Sequence, residues 1–225
     1  KGYDIPDTLK YFHITSNNTI YGTQYHGYPV SHVPYIIDMS SDMFSRQLDY
    51  NQFDLIYAGA QKNIGPAGVT MVIVKESLLG KVNRQIPTMM DYRTHIKEGS
   101  MFNTPPVFPI YVTMLTLRWI KERGLAKIEA DNKAKADLLY GAIDSNPLFK
   151  GTVAKEDRSW MNVNFIMEDR SLEPEFLQFA KENKCIGLAG HRSVGGMRAS
   201  IYNALGIESV QFLVNLMDEF AKRKG

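Results

Sequence analysis

Lys62 is the residue of this sequence whose type and setting best suit nucleophilic chemistry. It lies in a turn of small residues, Gly59–Gly68, between two apolar runs at 53–58 and 69–74 that are typical of buried strands. An amine in such a turn is partly removed from water, which lowers its pKa. The position therefore predicts a lysine activated to bond covalently with a carbonyl compound.

Two further polar side chains follow predicted strands earlier in the chain. Asp38 lies at the end of the apolar run 34–39, and Thr19 comes shortly after a strand predicted at 9–15. A carboxylate at a strand end can keep a pyridine nitrogen protonated, and a hydroxyl can hydrogen-bond a phenolic oxygen. Together with the amine of Lys62, these groups suit pyridoxal phosphate (PLP). The lysine turn lacks the Gly-Lys-Ser/Thr triplet of a nucleotide-binding loop.

Arg192 and Arg198 form a second candidate site. They are separated by Gly195-Gly196, which lets the chain turn and place one arginine on a loop and the other on the strand that follows. Each guanidinium can bind a carboxylate or phosphate through two parallel hydrogen bonds. Two separated cations suit a substrate with an anion at each end. Taken alone, the motif also fits two surface arginines that flank a turn.

The hydrophobic pattern predicts an α/β protein with two units. The larger unit covers 1–123, a connecting helix lies in 124–147, and a smaller α/β unit covers 148–225. The predicted elements are strands at 9–15, 34–39, 53–58, 69–74, 160–167, 186–188 and 197–202, and helices at 107–123, 125–144, 173–184 and 206–223.

The composition excludes several classes of protein. Hydrophobic residues make up 44% and charged residues 22%, with a net charge of +2 and no basic block, so we expect neither nucleic acid nor a membrane as a partner. We expect no metal site. The single cysteine, Cys185, cannot form an internal disulfide, which favours a reducing, cytoplasmic compartment.

The segments around these residues resemble the phosphoserine aminotransferases, a family of fold-type-I PLP enzymes. The resemblance runs in unbroken order from about residue 10 to the C-terminus. It implies a large mixed-sheet cofactor domain followed by a smaller α/β domain. The arginine loop is the specific part, because related PLP families share the lysine turn but not this loop. The matching segments are 18–22, 38–41, 58–68, 101–106 and 190–204.

The resemblance implies reversible amino transfer between L-phosphoserine with 2-oxoglutarate and 3-phosphohydroxypyruvate with L-glutamate. This reaction belongs to serine biosynthesis and, with a related substrate, to pyridoxine biosynthesis. The resemblance implies that Lys62 attaches PLP covalently, Asp38 pairs with the pyridine nitrogen, Thr19 bonds the phenolic oxygen and Gln61 contacts the cofactor phosphate. It implies a homodimer in which Asn103 and Thr104 contact the cofactor phosphate of the partner subunit. For the substrate, it implies that Arg198 binds the α-carboxylate and that His191 and Arg192 bind the distal anion.

Two other interpretations stay open from the sequence. One is a different class-V aminotransferase, such as an alanine–glyoxylate type. In the sequence, only the loop 190–198 distinguishes this type from the phosphoserine aminotransferases. The other is a non-catalytic fragment, because the chain opens at Lys1 without a methionine and lacks the family's upstream aromatic, Gly-Arg and His-Arg residues. We therefore expect the N-terminal part of the protein to be missing from this sequence.

Overall fold

Strands and helices alternate along the chain in the computed structural model, which describes residues 3–224. Within that range, no helix has both the length and the apolar composition needed to cross a bilayer. The strands are β1 (Phe12–Thr15), β2 (Asn17–Asn18), β3 (Thr23–Gln24), β4 (Tyr35–Asp38), β5 (Leu55–Gly59), β6 (Thr70–Val74), β7 (Phe149–Gly151), β8 (Asn162–Met167) and β9 (Met197–Ser200). The α-helices are α1 (Tyr92–Lys97), α2 (Val107–Arg123), α3 (Leu125–Ser145), α4 (Glu173–Glu182) and α5 (Ile207–Lys224). Short 3-10 helices lie at Tyr50–Gln52, Glu76–Leu78, Thr88–Met90, Lys155–Asp157 and Arg170–Leu172.

The main sheet has the order β1-β4-β5-β6, in which the first three strands are parallel and β6 is antiparallel. Its register aligns Thr15, Asp38 and Tyr57 side by side near the carboxyl ends of the parallel strands. A second sheet, β7-β8-β9, is antiparallel throughout, and β2 and β3 form a small hairpin. Because carboxyl ends of neighbouring parallel strands lie at one edge, the first sheet gathers the polar residues that follow its strands.

The predicted mixed α/β fold is confirmed, with most strands shorter than their apolar runs. The strand predicted at 186–188 is wrong: Ile186 is 78% exposed, and only Ala189 bridges to Met197 in this stretch. The strand β7 and the helix α1 were not predicted, because neither short segment has a distinctive apolar period. The division at 124–147 stays a prediction.

Two apolar clusters form the interior, and α3 contributes to both. Near its N-terminus Ile128 packs into the first cluster with the main sheet, and further along Leu139 and Ile143 pack into the second with β8 and α5. The helix begins immediately after Gly124, where α2 has ended. The same rigid helix therefore fixes the distance between the two cores.

Between these two apolar sections of α3 lies a buried cation, Lys135. Its side chain is 2% exposed, and its Nζ donates to the backbone carbonyls of Ile201, Tyr202 and Leu205 at 3.0, 2.7 and 3.0 Å. Burial lowers the pKa of Lys135 to about 8, an effect that the charge of Asp131 opposes. The three carbonyls satisfy all three N–H groups of the ammonium, so the loop after β9 is tied to the centre of α3.

We expect Lys135 to make stability depend on pH. Its pKa is lower in the folded than in the unfolded chain, so between about pH 8 and 10.5 the unfolded chain binds a proton that the folded chain lacks. The free energy of unfolding should therefore rise through this window, by up to about 3 kcal/mol from this group. Denaturant unfolding at several pH values should show this rise in the wild type and lose it in Lys135→Met.

The control is Lys133→Met, two positions away on the same helix, where the lysine is exposed and paired with Asp137. This variant should keep the wild-type pH profile. Equal slopes for the wild type and Lys135→Met between pH 8 and 10 would contradict the assignment.

Candidate active site

The turn that carries Lys62 is held in place by a close approach to α2. β5 ends at Gly59, and the Ala60 N–H donates to the carbonyl of Val69 at 2.9 Å, which closes the turn. A Cβ on Gly65 would lie 2.3 Å from Thr113 Oγ1 and 3.1 Å from its Cα, so only glycine lets the turn sit this close to α2. Lys62 is thereby presented at the carboxyl edge of the sheet.

The Lys62 amine is half-buried among polar groups from three other segments. Its Nζ donates to Thr19 Oγ1 at 2.8 Å, so the structure brings together two residues that are 43 positions apart. Burial lowers the pKa of Lys62, the carboxylate of Asp38 raises it, and the guanidinium of Arg198 lowers it again. The net result is a lowered pKa, which makes the uncharged, nucleophilic form easier to reach.

Asp38 ends β4, and neighbouring segments orient its carboxylate. Its Oδ1 accepts from the Ser40 N–H at 2.8 Å, while the Ser40 hydroxyl oxygen accepts from the Gly59 N–H at 3.1 Å. Tyr57 lies beside it on β5: burial raises the pKa of Tyr57, and the charge and a hydrogen bond of Asp38 raise it further. The Asp38 turn and the strand leading to Lys62 are therefore directly linked.

The two candidate arginines occupy different settings. Arg198 is half-buried on β9, where it pairs in register with Asn164 of β8. Arg192 is exposed on the loop before β9, and the neighbouring His191 Nδ1 lies 2.7 Å from the hydroxyl of Ser193. Of the two, Arg198 is the one whose charge reaches Lys62. The prediction that one arginine lies on a loop and the other on the following strand agrees with these positions of Arg192 and Arg198.

Three other predicted residues stand apart from this group. Gln61 is exposed, and its side chain folds back over Gly59, where its Oε1 fills the space a Cβ would occupy. Asn103 and Thr104 are exposed on the loop before α2, where the Asn103 amide donates to the carbonyl of Thr104 at 3.2 Å. The structure thus joins Lys62, Thr19, Asp38 and Arg198, while the roles of Gln61, Asn103, Thr104, His191 and Arg192 remain predictions.

Sequence reasoning missed two contributors to this site. Tyr57 appeared only as part of an apolar run, yet its hydroxyl lies 3.0 Å from His13 Nε2 and next to Asp38. Ser40 stood in a quoted segment without a role. The spacing of Tyr57 two residues before the end of β5 was the available signal, because alternate residues of a strand share a face.

Comparison with known proteins identifies the family. Residues 3–213 match the class-V aminotransferases. This chain belongs to the class-V aminotransferase family. It is 59% identical over 218 residues to a phosphoserine aminotransferase of Flavobacterium johnsoniae, an alignment that covers 96% of this chain and 61% of that relative.

Solved structures of the same family share the fold. A phosphoserine aminotransferase from Bacillus circulans subsp. alkalophilus superimposes with a TM-score of 0.95 at 47% identity, covering 98% of this chain and 62% of that one. A PLP-bound phosphoserine aminotransferase from Trichomonas vaginalis gives a TM-score of 0.90 at 40% identity, covering 96% and 62%. The chain therefore spans a little over three fifths of the length of these class-V relatives.

The charges around Lys62 predict opposite effects of two substitutions. Asp38→Asn removes the anion that raises the pKa of Lys62 and should lower that pKa further, whereas Arg198→Gln removes a cation and should raise it. Competitive acetylation across pH, with peptide mass spectrometry of the Lys62 peptide, measures the change. The exposed Lys150 serves as the internal reference for reagent activity. Shifts of the same sign in both variants would disprove the arrangement.

Proposed function

We propose that this chain is the larger part of a PLP-dependent phosphoserine aminotransferase. The observation that carries the proposal is the half-buried amine of Lys62, hydrogen-bonded to Thr19 and placed between the charges of Asp38 and Arg198. An amine, a carboxylate and a hydroxyl are the groups that PLP needs at its aldehyde, pyridine nitrogen and phenolic oxygen. The arginine on β9 adds an anchor for a substrate carboxylate. The relatives named above support the choice of phosphoserine.

The residues of this chain supply attachment, proton transfer and charge. PLP, when bound, supplies an electron-withdrawing ring that stabilises negative charge at the substrate Cα. Lys62 would hold PLP through the aldehyde group of the cofactor, and its amine would take the proton from the substrate Cα as a general base. Asp38 keeps the pyridine nitrogen protonated. Thr19, which accepts a hydrogen bond from the Lys62 amine, would hold the phenolic oxygen of the cofactor.

Substrate binding requires two cationic anchors because phosphoserine and glutamate each carry an anion at both ends. In the proposal Arg198 binds the α-carboxylate, since its charge already reaches the Lys62 amine where Cα must react. His191 and Arg192, on the exposed loop before β9, bind the distal phosphate or carboxylate. Arginine suits both positions because its planar fork pairs bidentately with either anion.

Transamination by the complete protein tests the function. With PLP, phosphoserine and 2-oxoglutarate it should form glutamate, and Lys62→Ala should abolish this turnover because no amine remains to take the Cα proton. Lys75→Ala is the control, since that lysine is half-exposed and pairs with Asp54 at 2.9 Å. Faster turnover of alanine with glyoxylate than of phosphoserine would favour the other class-V activity, and no turnover of either would favour a non-catalytic protein.

Substitution of the two arginines should affect substrates differently. Arg198→Ala should reduce kcat/KM for every amino acid, because all carry an α-carboxylate. Arg192→Ala should reduce kcat/KM for phosphoserine and glutamate, which corresponds to a loss of about 2–5 kcal/mol in transition-state stabilisation. The kcat/KM for alanine should stay nearly unchanged. Steady-state kinetics with phosphoserine and alanine measure the contrast. An equal loss for both substrates in Arg192→Ala would overturn the distal-anion role.

A homodimer is part of the proposal, with Asn103 and Thr104 reaching the cofactor phosphate of the partner subunit. An apolar surface surrounds these two residues, and we name it the α2 patch: Met101 is 66%, Val107 69% and Phe108 72% exposed, and Phe102 and Tyr111 are also exposed. Contiguous apolar surface of this kind typically marks a protein interface. A two-fold contact through the patch would carry both loops into facing sites.

Light scattering on the complete protein should report a dimer. Phe108→Asp should weaken it and lower activity together, because a buried carboxylate at the interface is costly and the partner's loop is then withdrawn. Phe212→Asp is the control, since that phenylalanine is 47% exposed on α5, away from the α2 patch. A fully active monomer at assay concentration would refute the shared site.

Two finer parts of the proposal concern context. We place the protein in the cytoplasm, which the free thiol of Cys185 supports; burial raises the pKa of this thiol. We also include a phosphorylated hydroxythreonine among the substrates, as in pyridoxine biosynthesis, because it carries the same two terminal anions. Activity with that substrate in the transamination assay would support this part, and its absence would remove it.

A further inference from the structure

Asn203, in the loop after β9, connects three separate segments of the chain. Its backbone N–H donates to Asn63 Oδ1 at 3.1 Å, and its side-chain amide donates to the carbonyl of Phe44 at 3.0 Å. Its Oδ1 accepts from the amide of Asn132 on α3 at 2.8 Å. Asn203 lies five positions after Arg198 in the sequence, so its contacts fix the chain directly after β9.

The partners of Asn203 are the residues that position the candidate active site. Asn63 directly follows Lys62 and is 5% exposed. Phe44 belongs to the turn that follows Asp38, and its φ of 55° lies in the left-handed region that bulky residues rarely adopt. Such a conformation persists only when surrounding contacts hold it.

Two residues of α3, Asn132 and Lys135, fix this arrangement through three further hydrogen bonds. Asn132, which is 1% exposed, also donates to the carbonyl of Ser45 at 2.9 Å, so the Phe44 turn is held on both sides. The buried ammonium of Lys135 holds the carbonyls of Tyr202 and Leu205, on either side of Asn203. The loop cannot shift relative to α3 without leaving several buried polar groups unsatisfied.

We propose that Asn203 is a positioning residue for the reaction, which sets the position of Arg198 relative to Lys62 and Asp38. The inference rests on the proposed function. Arg198 holds the substrate carboxylate, while Lys62 takes the proton from the adjacent carbon, so the separation of these two side chains decides the geometry of the reacting atoms. Lys62 lies in the turn after β5 and Arg198 on β9. Asn203 links these segments, because its backbone N–H bonds Asn63 beside Lys62 and its side chain bonds the Phe44 turn that follows Asp38.

The test uses the complete holoenzyme with Asn203→Ala, which removes the side-chain bonds to Phe44 and Asn132 and leaves the backbone bond to Asn63 in place. We expect kcat/KM for phosphoserine to fall roughly tenfold to a hundredfold, the effect of a misplacement of about 1 Å. A second readout is the visible absorption band of PLP attached to Lys62, followed across pH. The Arg198 guanidinium lowers the pKa of the Lys62 amine, and the same positive charge should disfavour protonation of the Lys62–PLP linkage. Moving Arg198 away from Lys62 should therefore shift the titration of this band to higher pH.

The control is Asn183→Ala, which removes a single hydrogen bond, 2.9 Å long, from a side-chain amide to the carbonyl of Phe179 at the end of α4. This variant should keep the wild-type titration even if it is less stable. Asn203→Ser should shift the pH titration of the absorption band in the same direction as Asn203→Ala. If the alanine variant does not fold, the serine variant takes its place in the test.

A wild-type titration and wild-type kcat/KM in a folded Asn203 variant would overturn the proposal. A change in unfolding free energy alone would do the same, since it would show a merely structural role. The absorption band separates this outcome from failure of the proposed function. If the wild type carries the band but does not transaminate phosphoserine, the activity is wrong, while the titration still decides the role of Asn203.

Discussion

The candidate site depends on keeping one amine partly out of water between opposite charges. Burial has the largest effect on the Lys62 amine and lowers its pKa, the Asp38 carboxylate raises that pKa, and the Arg198 guanidinium lowers it. The net pKa is lowered, so the uncharged form of the amine is easier to reach. Each requirement is met by a different part of the fold: the tight turn, the end of β4 and the strand β9.

Buried amides join those parts, in addition to the apolar packing of α3 into both clusters. The two hydrophobic clusters lie in separate halves of the chain, and polar side chains occupy the boundary between them: Asn17 donates to Asn162 Oδ1 at 2.8 Å, and the Trp160 N–H donates to Gln24 Oε1 at 2.9 Å. Hydrogen bonds are directional, so such a boundary specifies one relative placement of the halves, which apolar packing alone would leave looser. A site assembled from both halves needs this precision.

Much of the fold could be predicted from local patterns. The apolar runs around 34–39, 53–58 and 69–74 and the turn between the last two are visible in any window of the sequence, so the strands and the position of Lys62 followed from them. The strand predicted at 186–188 failed because Gly187 adopts a φ of 76° that interrupts an extended chain, which leaves Ile186 facing solvent while Leu188 is buried.

The site was predictable only in part. Polar residues beside strand ends and glycine turns mark Lys62, Asp38, Thr19 and Arg198, and the resemblance to a family adds their specific roles. The contacts of Tyr57 and Asn203 could not be predicted, because they depend on strand register and on loops that meet across 140 positions of the chain, as in the bond from Asn203 to Asn63. Periodicity carries no information on such distant pairs.

The most direct test of the account is the chemical identity of the lysine that binds the cofactor. The complete protein is mixed with PLP, reduced with borohydride and digested, and the peptides are mapped by mass spectrometry. The account predicts one dominant pyridoxyl modification, on the peptide that contains Lys62. A dominant modification on another lysine, or only scattered labelling at exposed lysines, would contradict it.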